Sequence, residues 1–343
     1  MPGAELPAGV HLVGSIPLES SEEVFRTAGA ALGRHLRRLP DGETGKRLFW
    51  NSWTRPLYGR TPGLELVDPP EGNYTPWQQA RLVVDPSELV FGPIGFADEA
   101  RASWAVFSAL KREGAIPEHL RFQVCLPSVI APMTVLVERG SSAAVEGPFL
   151  ERLRVEVQEI VDAVPHDQLA IQWDVCQDVG IWEGYYEAYF DDPENGVIER
   201  LAAVAEPIPA DVEVGFHLCY GDFKHQHFMQ PRDGGVLCEL SNRLCAAIDR
   251  PVNWIHLPVP IDRRDEGYFE PLRELALKPE TELYLGLVHF TDGAEGTRAR
   301  TAVARSVLGR EFGVATECGF GRRPPETVRP LLELHTQVAA PVV

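Results

Sequence analysis

The chain has 343 residues, 44% of them hydrophobic and 24% charged, which is the make-up of a folded globular protein. Fifty Asp and Glu face 32 Lys and Arg, for a formal net charge of −18, so nucleic acid and anionic lipid are not expected as partners. No apolar run is long enough to span a bilayer, and the opening Met-Pro-Gly-Ala-Glu-Leu-Pro-Ala lacks the basic-then-apolar pattern of an export signal. A cytoplasmic protein is therefore expected, in which the six cysteines are thiols or metal ligands rather than disulfides.

Apolar strand-like runs alternate with amphipathic helical runs, the pattern of βα units on a parallel sheet. The first strand is predicted over Val10–Ile16, then a helix over Ser21–Leu32 that Ser20 or Ser21 can cap. A short strand, Arg37–Leu39, runs into Asp41-Gly42-Glu43. Residues 50–95, rich in Pro, Gly, Trp and Tyr, read as a long irregular loop of the length that serves as a lid. Within it Asn73-Tyr74-Thr75 matches a glycosylation sequon, which has no meaning in a cytoplasmic chain.

A helix over Ala97–Glu113 precedes the strand Arg121–Leu126, a turn holding Met133-Thr134, and a helix over Pro148–Val164. The strand Leu169–Asp174 and helix Gly196–Ala205 follow. Next comes the run Val212-Glu213-Val214-Gly215-Phe216-His217-Leu218-Cys219, with His225 and His227 in a polar loop behind it. The helix Gly235–Ile248 places Cys238 and Cys245 one heptad apart, as small buried hydrophobes. The remaining pairs are strand Val252–Leu257 with helix Tyr268–Ala276, strand Leu283–Phe290 with helix Thr297–Leu308, and strand Gly313–Thr316 with helix Glu326–Val338. Eight such units close an α/β (β/α)8 TIM barrel, and the chain reads as one such domain over 1–343.

Barrel enzymes place their chemistry at the C-terminal ends of the strands. Those ends read Ser15, Asp41/Glu43, Ser128, Asp174, His217/Cys219, His256, His289 and Glu317/Cys318. Residues two apart on a strand share a face, so His217 and Cys219 leave the fifth strand together. With His256 and Cys318 they offer two nitrogens and two sulfurs, a set that suits tetrahedral Zn²⁺. The plainer alternative is a packed core His256 and an apolar Cys219. Asp174 suits a substrate ammonium group, the orientation of a ligand, or a turn cap. His289 suits general acid work near neutral pH. Arg322 and Arg323 suit a carboxylate or phosphate, and His225 and His227 are spare ligands or loop residues.

These residues resemble the C-terminal catalytic barrel of cobalamin-independent methionine synthase, in the methionine synthase/uroporphyrinogen decarboxylase-like superfamily. Gly14-Ser15-Ile16-Pro17 resembles its opening Gly-Ser-(Phe/Tyr)-Pro, and Asp41-Gly42-Glu43 its (His/Asp)-Gly-Glu. Pro132-Met133-Thr134 is similar to Pro-Val-Thr, Gln172-Trp173-Asp174 to Gln-Ile-Asp, and His217-Leu218-Cys219-Tyr220 to His-x-Cys-Tyr. Val288-His289 resembles the family's Ile-His, and Glu317-Cys318-Gly319 with Arg323 resembles Asp-Cys-Gly and its basic loop. The resemblance runs from about residue 10 to 340.

It implies zinc held by His217, Cys219, His256 and Cys318, with His256 standing where the family has a Glu. It implies substrate contacts from Ser15, Asp41, Glu43, Asp174 and Arg323, and His289 as proton donor. Asp174-Val175-Cys176-Gln177 replaces the family's Asp-Glu-Pro-Ala, and the family's folate contacts find no counterpart. The expected function is a zinc-dependent methyl- or alkyltransferase without folate, acting on a small thiol and a methyl or alkyl donor, and compatible with a homo-oligomer. Trp50, Trp53, Tyr58 and Trp77 would cover the pocket. Alternatives are thiol–epoxide transferase-like lyase or hydrolase chemistry, or a barrel that only binds a small ligand.

Overall fold

The computed structural model describes residues 6–73, 75–223 and 226–343, so Tyr74 of the sequon and His225 lie outside the described residues. Helix α1 (Ser21–Leu32) begins where the Ser20 hydroxyl accepts the Glu23 N–H, and it buries Val24, Phe25, Ala28 and Leu32 along one side. Strand β1 (Arg38–Pro40) is followed by α2 (Arg55–Arg60) and an antiparallel pair, β2 (Leu64–Val67) with β3 (Gln79–Leu82). Then come α3 (Phe96–Arg112), β4 (Arg121–Pro127), α4 (Ile130–Val135), α5 (Arg139–Ala163) and β5 (Leu169–Val175). They are succeeded by α6 (Gln177–Trp182), α7 (Pro193–Ala205), β6 (Glu213–Leu218) and α8 (Gly235–Ala247). Strands β7 (Trp254–Pro258), β8 (Glu282–Gly286) and β9 (Gly313–Val314) alternate with α9 (Glu266–Phe269) and α10 (Gly293–Val307), and α11 (Val328–Val338) comes last.

The main sheet runs β1-β4-β5-β6-β7-β8-β9, and every pair in it is parallel. Its two edges are joined by the extended segment 8–16. Val10 pairs with Val314 on one side, and its N–H donates to the His35 carbonyl at 2.8 Å on the other. The Ile16 N–H reaches the Gly42 carbonyl at 2.7 Å. The ring closes as a TIM barrel because this segment bonds to β9 on one side and to the residues flanking β1 on the other.

The barrel interior is unusually polar. Such interiors are normally filled by branched apolar side chains. Here a fully buried Arg38 pairs with Glu282 at 2.8 Å and lies 4.2 Å from the Trp254 ring centroid. His11 Nε2 meets Gln172 Oε1 at 2.7 Å, and the Gln123 amide donates to the Leu12 carbonyl at 3.0 Å. These contacts offset the cost of burying Arg38, His11 and the Gln123 amide.

Several expectations change: Val10–Ile16 is an extended segment rather than a regular strand, and the turn holding Met133-Thr134 is helix α4. The 50–95 stretch is not an irregular loop: it folds into α2 and the β2–β3 pair. Tyr58 is core, 1% exposed and against Phe91 and Phe149, while Trp53 packs edge-on to Phe96. Helix α5 begins at Arg139 rather than Pro148, with the proline inside it. Proline suits a helix start because it lacks an N–H, and here it interrupts the ladder instead.

Candidate metal centre and adjoining pocket

Strand β6 delivers His217 and, one step past its end, Cys219, whose N–H donates to the Val175 carbonyl at 2.9 Å. Cys318 arrives on the turn after β9. That turn is strapped to the first segment: the Phe320 N–H donates to the Ser15 carbonyl at 2.6 Å, and the Gly321 N–H to Ser15 Oγ at 3.3 Å. A Cβ on Gly319 would come within 2.4 Å of Ser15 Oγ, so only glycine permits this approach.

One nitrogen of His217 and the sulfurs of Cys219 and Cys318 all lie within 4.8 Å of one another. The two sulfurs are 4.0 Å apart. His217 Nδ1 meets His256 Nδ1 at 2.6 Å, while His217 Nε2 is buried with no hydrogen-bond partner among the described residues. Two imidazoles joined nitrogen to nitrogen share one proton between those atoms. A bare Nε2 lone pair on His217 therefore requires Nδ1–H to donate to His256. This orphaned lone pair, on a ring that groups with two thiols, fits a zinc ion by donor type.

His256 stands outside that group. The sequence reading made it the fourth ligand; it is fully buried and takes up the far nitrogen of His217 instead. Both thiols are held well above their ordinary pKa. For Cys219 the neighbouring Cys176 sulfur is the main cause, and for Cys318 it is Cys219; burial adds to both. Arg322 opposes this at Cys318, with Nη2 at 3.4 Å from the sulfur while it pairs with Asp222 at 3.0 Å.

The cluster opens on a cavity walled by Phe49, Trp50, Trp77 and Phe223, with Ser15, Glu43, Asp174 and Arg322 among its polar lining. Asp174 is held by the Gln172 amide at 2.8 Å, yet burial pushes its pKa up to about 7. Glu43 is pushed up to about 8, by burial first and the Asp174 carboxylate second. Two neighbouring carboxyls that cannot both ionise share a proton. Glu43 (φ 46°) and Trp50 (φ 52°) both have left-handed backbones; such strain in bulky residues gathers at functional sites.

The other predicted residues are placed differently. Asp41 turns away from the cavity: its carboxylate accepts the Glu43 N–H at 2.9 Å, Ser103 Oγ–H at 2.7 Å and Arg47 at 2.7 Å, which fixes the turn that presents Glu43. Arg323 lines a smaller polar pocket behind the cysteines, with His227, His289 and Glu317; its neighbour Arg322 is the one in the main cavity. His289, expected as a proton donor near neutrality, is buried in that pocket. Burial, then Arg300, pushes it down to about 3, and its Nε2 lies 2.9 Å from the Val259 carbonyl. His227 Nε2 lies 3.5 Å from Glu317. Sequence reasoning missed Phe49, Phe223 and Cys176 as cavity residues; for Cys176 the signal was its place two residues beyond Asp174.

The geometry defines a (β/α)8 barrel with a nitrogen–sulfur cluster at the C-terminal mouth. No family model matches the chain, and no curated protein matches it. Solved structures do match in fold. A B12-independent methionine synthase from Shewanella sp. W3-18-1, in complex with selenomethionine, aligns with TM-score 0.61 and 15% identity over 96% of each chain. A candidate vitamin-B12 independent methionine synthase from Listeria monocytogenes gives 0.57 and 12% over 98% of this chain and 100% of that one. A methyltransferase from Methanosarcina mazei gives 0.52 and 13% over 98% and 95%. At these identities the likeness establishes the shared fold.

Proposed function

We propose that the protein is a zinc-dependent methyl- or alkyltransferase that acts on a small thiol. The observation that carries this reading is the His217–Cys219–Cys318 cluster, which opens on a cavity whose wall holds the Glu43 and Asp174 carboxyls. The fold shared with methionine synthase and methyltransferase structures supports it. When bound, zinc supplies Lewis acidity that makes a coordinated thiol a thiolate near neutral pH.

The chain's own residues do the rest. Glu43 and Asp174, sharing a proton, bind an ammonium group on the thiol substrate or return a proton to the leaving group. Ser15 and Arg322 suit a carboxylate in the same cavity. Phe49, Trp50, Trp77 and Phe223 exclude water and pack against the apolar part of the alkyl donor. Asp41 and His256 act as positioning residues, for Glu43 and His217 respectively. His289 is assigned to holding the Glu317 turn rather than to proton delivery.

The test is metal analysis with activity on candidate thiols and alkyl donors. Purified protein should hold one zinc per chain and consume a thiol. Cys219→Ser and Cys318→Ser should each lose zinc and thiol alkylation together, the latter by on the order of 100-fold or more. Full zinc occupancy in either variant would overturn the ligand assignment. Turnover without any thiol would favour hydrolysis.

A further inference from the structure

The described group offers a metal three donors, one short of the tetrahedral number. His256 Nδ1 lies 2.6 Å from His217 Nδ1, its Nε2 is buried without a hydrogen-bond partner among the described residues, and its ring falls outside that group; a donor that already stands beside the sulfurs is the alternative. Strand register singles out one candidate. Val175 on β5 pairs with Leu218 on β6, and the Cys219 N–H bonds back to the Val175 carbonyl at 2.9 Å. One step further along each strand, Cys176 stands beside Cys219. Both line the same cavity as His217 and Cys318, and Cys176 is 7% exposed.

We propose that Cys176 is the fourth protein ligand of the resting metal centre, giving one nitrogen and three sulfurs. This rests on the zinc reading above and deepens it. Cys176 neighbours Cys219 and lies outside the 4.8 Å group. Ligation needs its sulfur to swing inward, which a short side chain with one rotatable bond accomplishes cheaply. Cys176 would close the site when no substrate is present, and on yielding its place to a substrate thiol it would take up that thiol's proton, which would leave the charge at the centre unchanged. Cys176 is thus an internal stand-in for the substrate sulfur, from a position where Val175-Cys176 follows Asp174 directly.

Zinc K-edge absorption spectroscopy counts sulfurs directly. Zinc-loaded protein free of added thiols should show three sulfurs and one nitrogen, and Cys176→Ala and Cys176→Ser should each show the loss of one sulfur. Two sulfurs in the unmutated protein and both variants would overturn the proposal while leaving the His217–Cys219–Cys318 centre standing. Failure of the unmutated protein to bind zinc at all would overturn both readings. Should the variants not fold, iodoacetamide labelling of the unmutated protein decides. Added zinc should slow alkylation of Cys176 along with Cys219 and Cys318; an unchanged rate at Cys176 overturns the proposal.

Discussion

Glu43 combines a left-handed backbone, a buried carboxyl and a neighbouring Asp174. Its folded pKa, about 8 against an ordinary 4.5, means the native state prefers the protonated acid. The stability this gives is fully present below pH 4.5 and is lost as pH rises through 8. Glu43→Gln removes that loss. The variant should melt higher than the unmutated protein at pH 8 and match it near pH 4, which differential scanning at the two pH values checks. Equal melting at both would show a solvated, ordinary carboxylate. Glu43 was legible in the sequence because Asp-Gly-Glu after a strand is a turn with an acid at its exit. Asp41's inward role was not, since nothing local says that Ser103 and Arg47 would claim its carboxylate. The pairing of His256 with His217 was hidden for a similar reason: spacing offers a ligand, and only the packed barrel sets their Nδ1 atoms 2.6 Å apart.

The turn after β9 depends on close approach at the element level. Gly319 has no room for a side chain, with Ser15 Oγ at 2.4 Å and the Ser15 nitrogen at 2.9 Å from a built Cβ. Gly319→Ala should cost about 1–3 kcal/mol, as overpacking does, and should lower zinc content by displacing Cys318. Gly147→Ala is the control: this α5 position is open, so alanine there should stabilise by roughly 0.5–1 kcal/mol. Thermal melts with metal analysis test both. The regular βα alternation was readable because apolar runs and caps announce it, as with Ser20 before α1. The β2–β3 pair was hidden because Leu64–Val67 lies half exposed or exposed along its whole length, leaving no alternating apolar face to detect. The start of α5 was hidden by Pro148, whose favoured place is a helix N-terminus.

Across the molecule, burial holds a set of histidines neutral. His11 and His289 are pushed down to about 3, His335 to about 4, and His217 and His256 well below the ordinary value. Each can take up a proton near pH 6.5 only when unfolded. The stability they give is present above 6.5 and is lost as pH falls through their folded values. Asp174 and Asp178, both pushed up to about 7 chiefly by burial, act in the other direction as pH rises. Metal-free protein should therefore be most stable near pH 6.5, because five histidines outweigh three carboxyls below it, and its urea midpoint should drop as pH falls from there. A midpoint flat from pH 6.5 to 3 would mean these rings are hydrated. None of this was visible in the sequence, where ten histidines look alike until the closed ring sorts them.

That ring also sets when a cation can be gripped. Cys219 and Cys318 stand 99 positions apart, and the turn bearing the second is moored to segment 8–16 by Ser15. A partly assembled chain offers an ion His217 and Cys219 alone, a weak pair. On the proposed zinc reading the ion would arrive as a late guest rather than as the seed of folding, and the zinc content of a preparation would count the molecules whose circle of strands has shut.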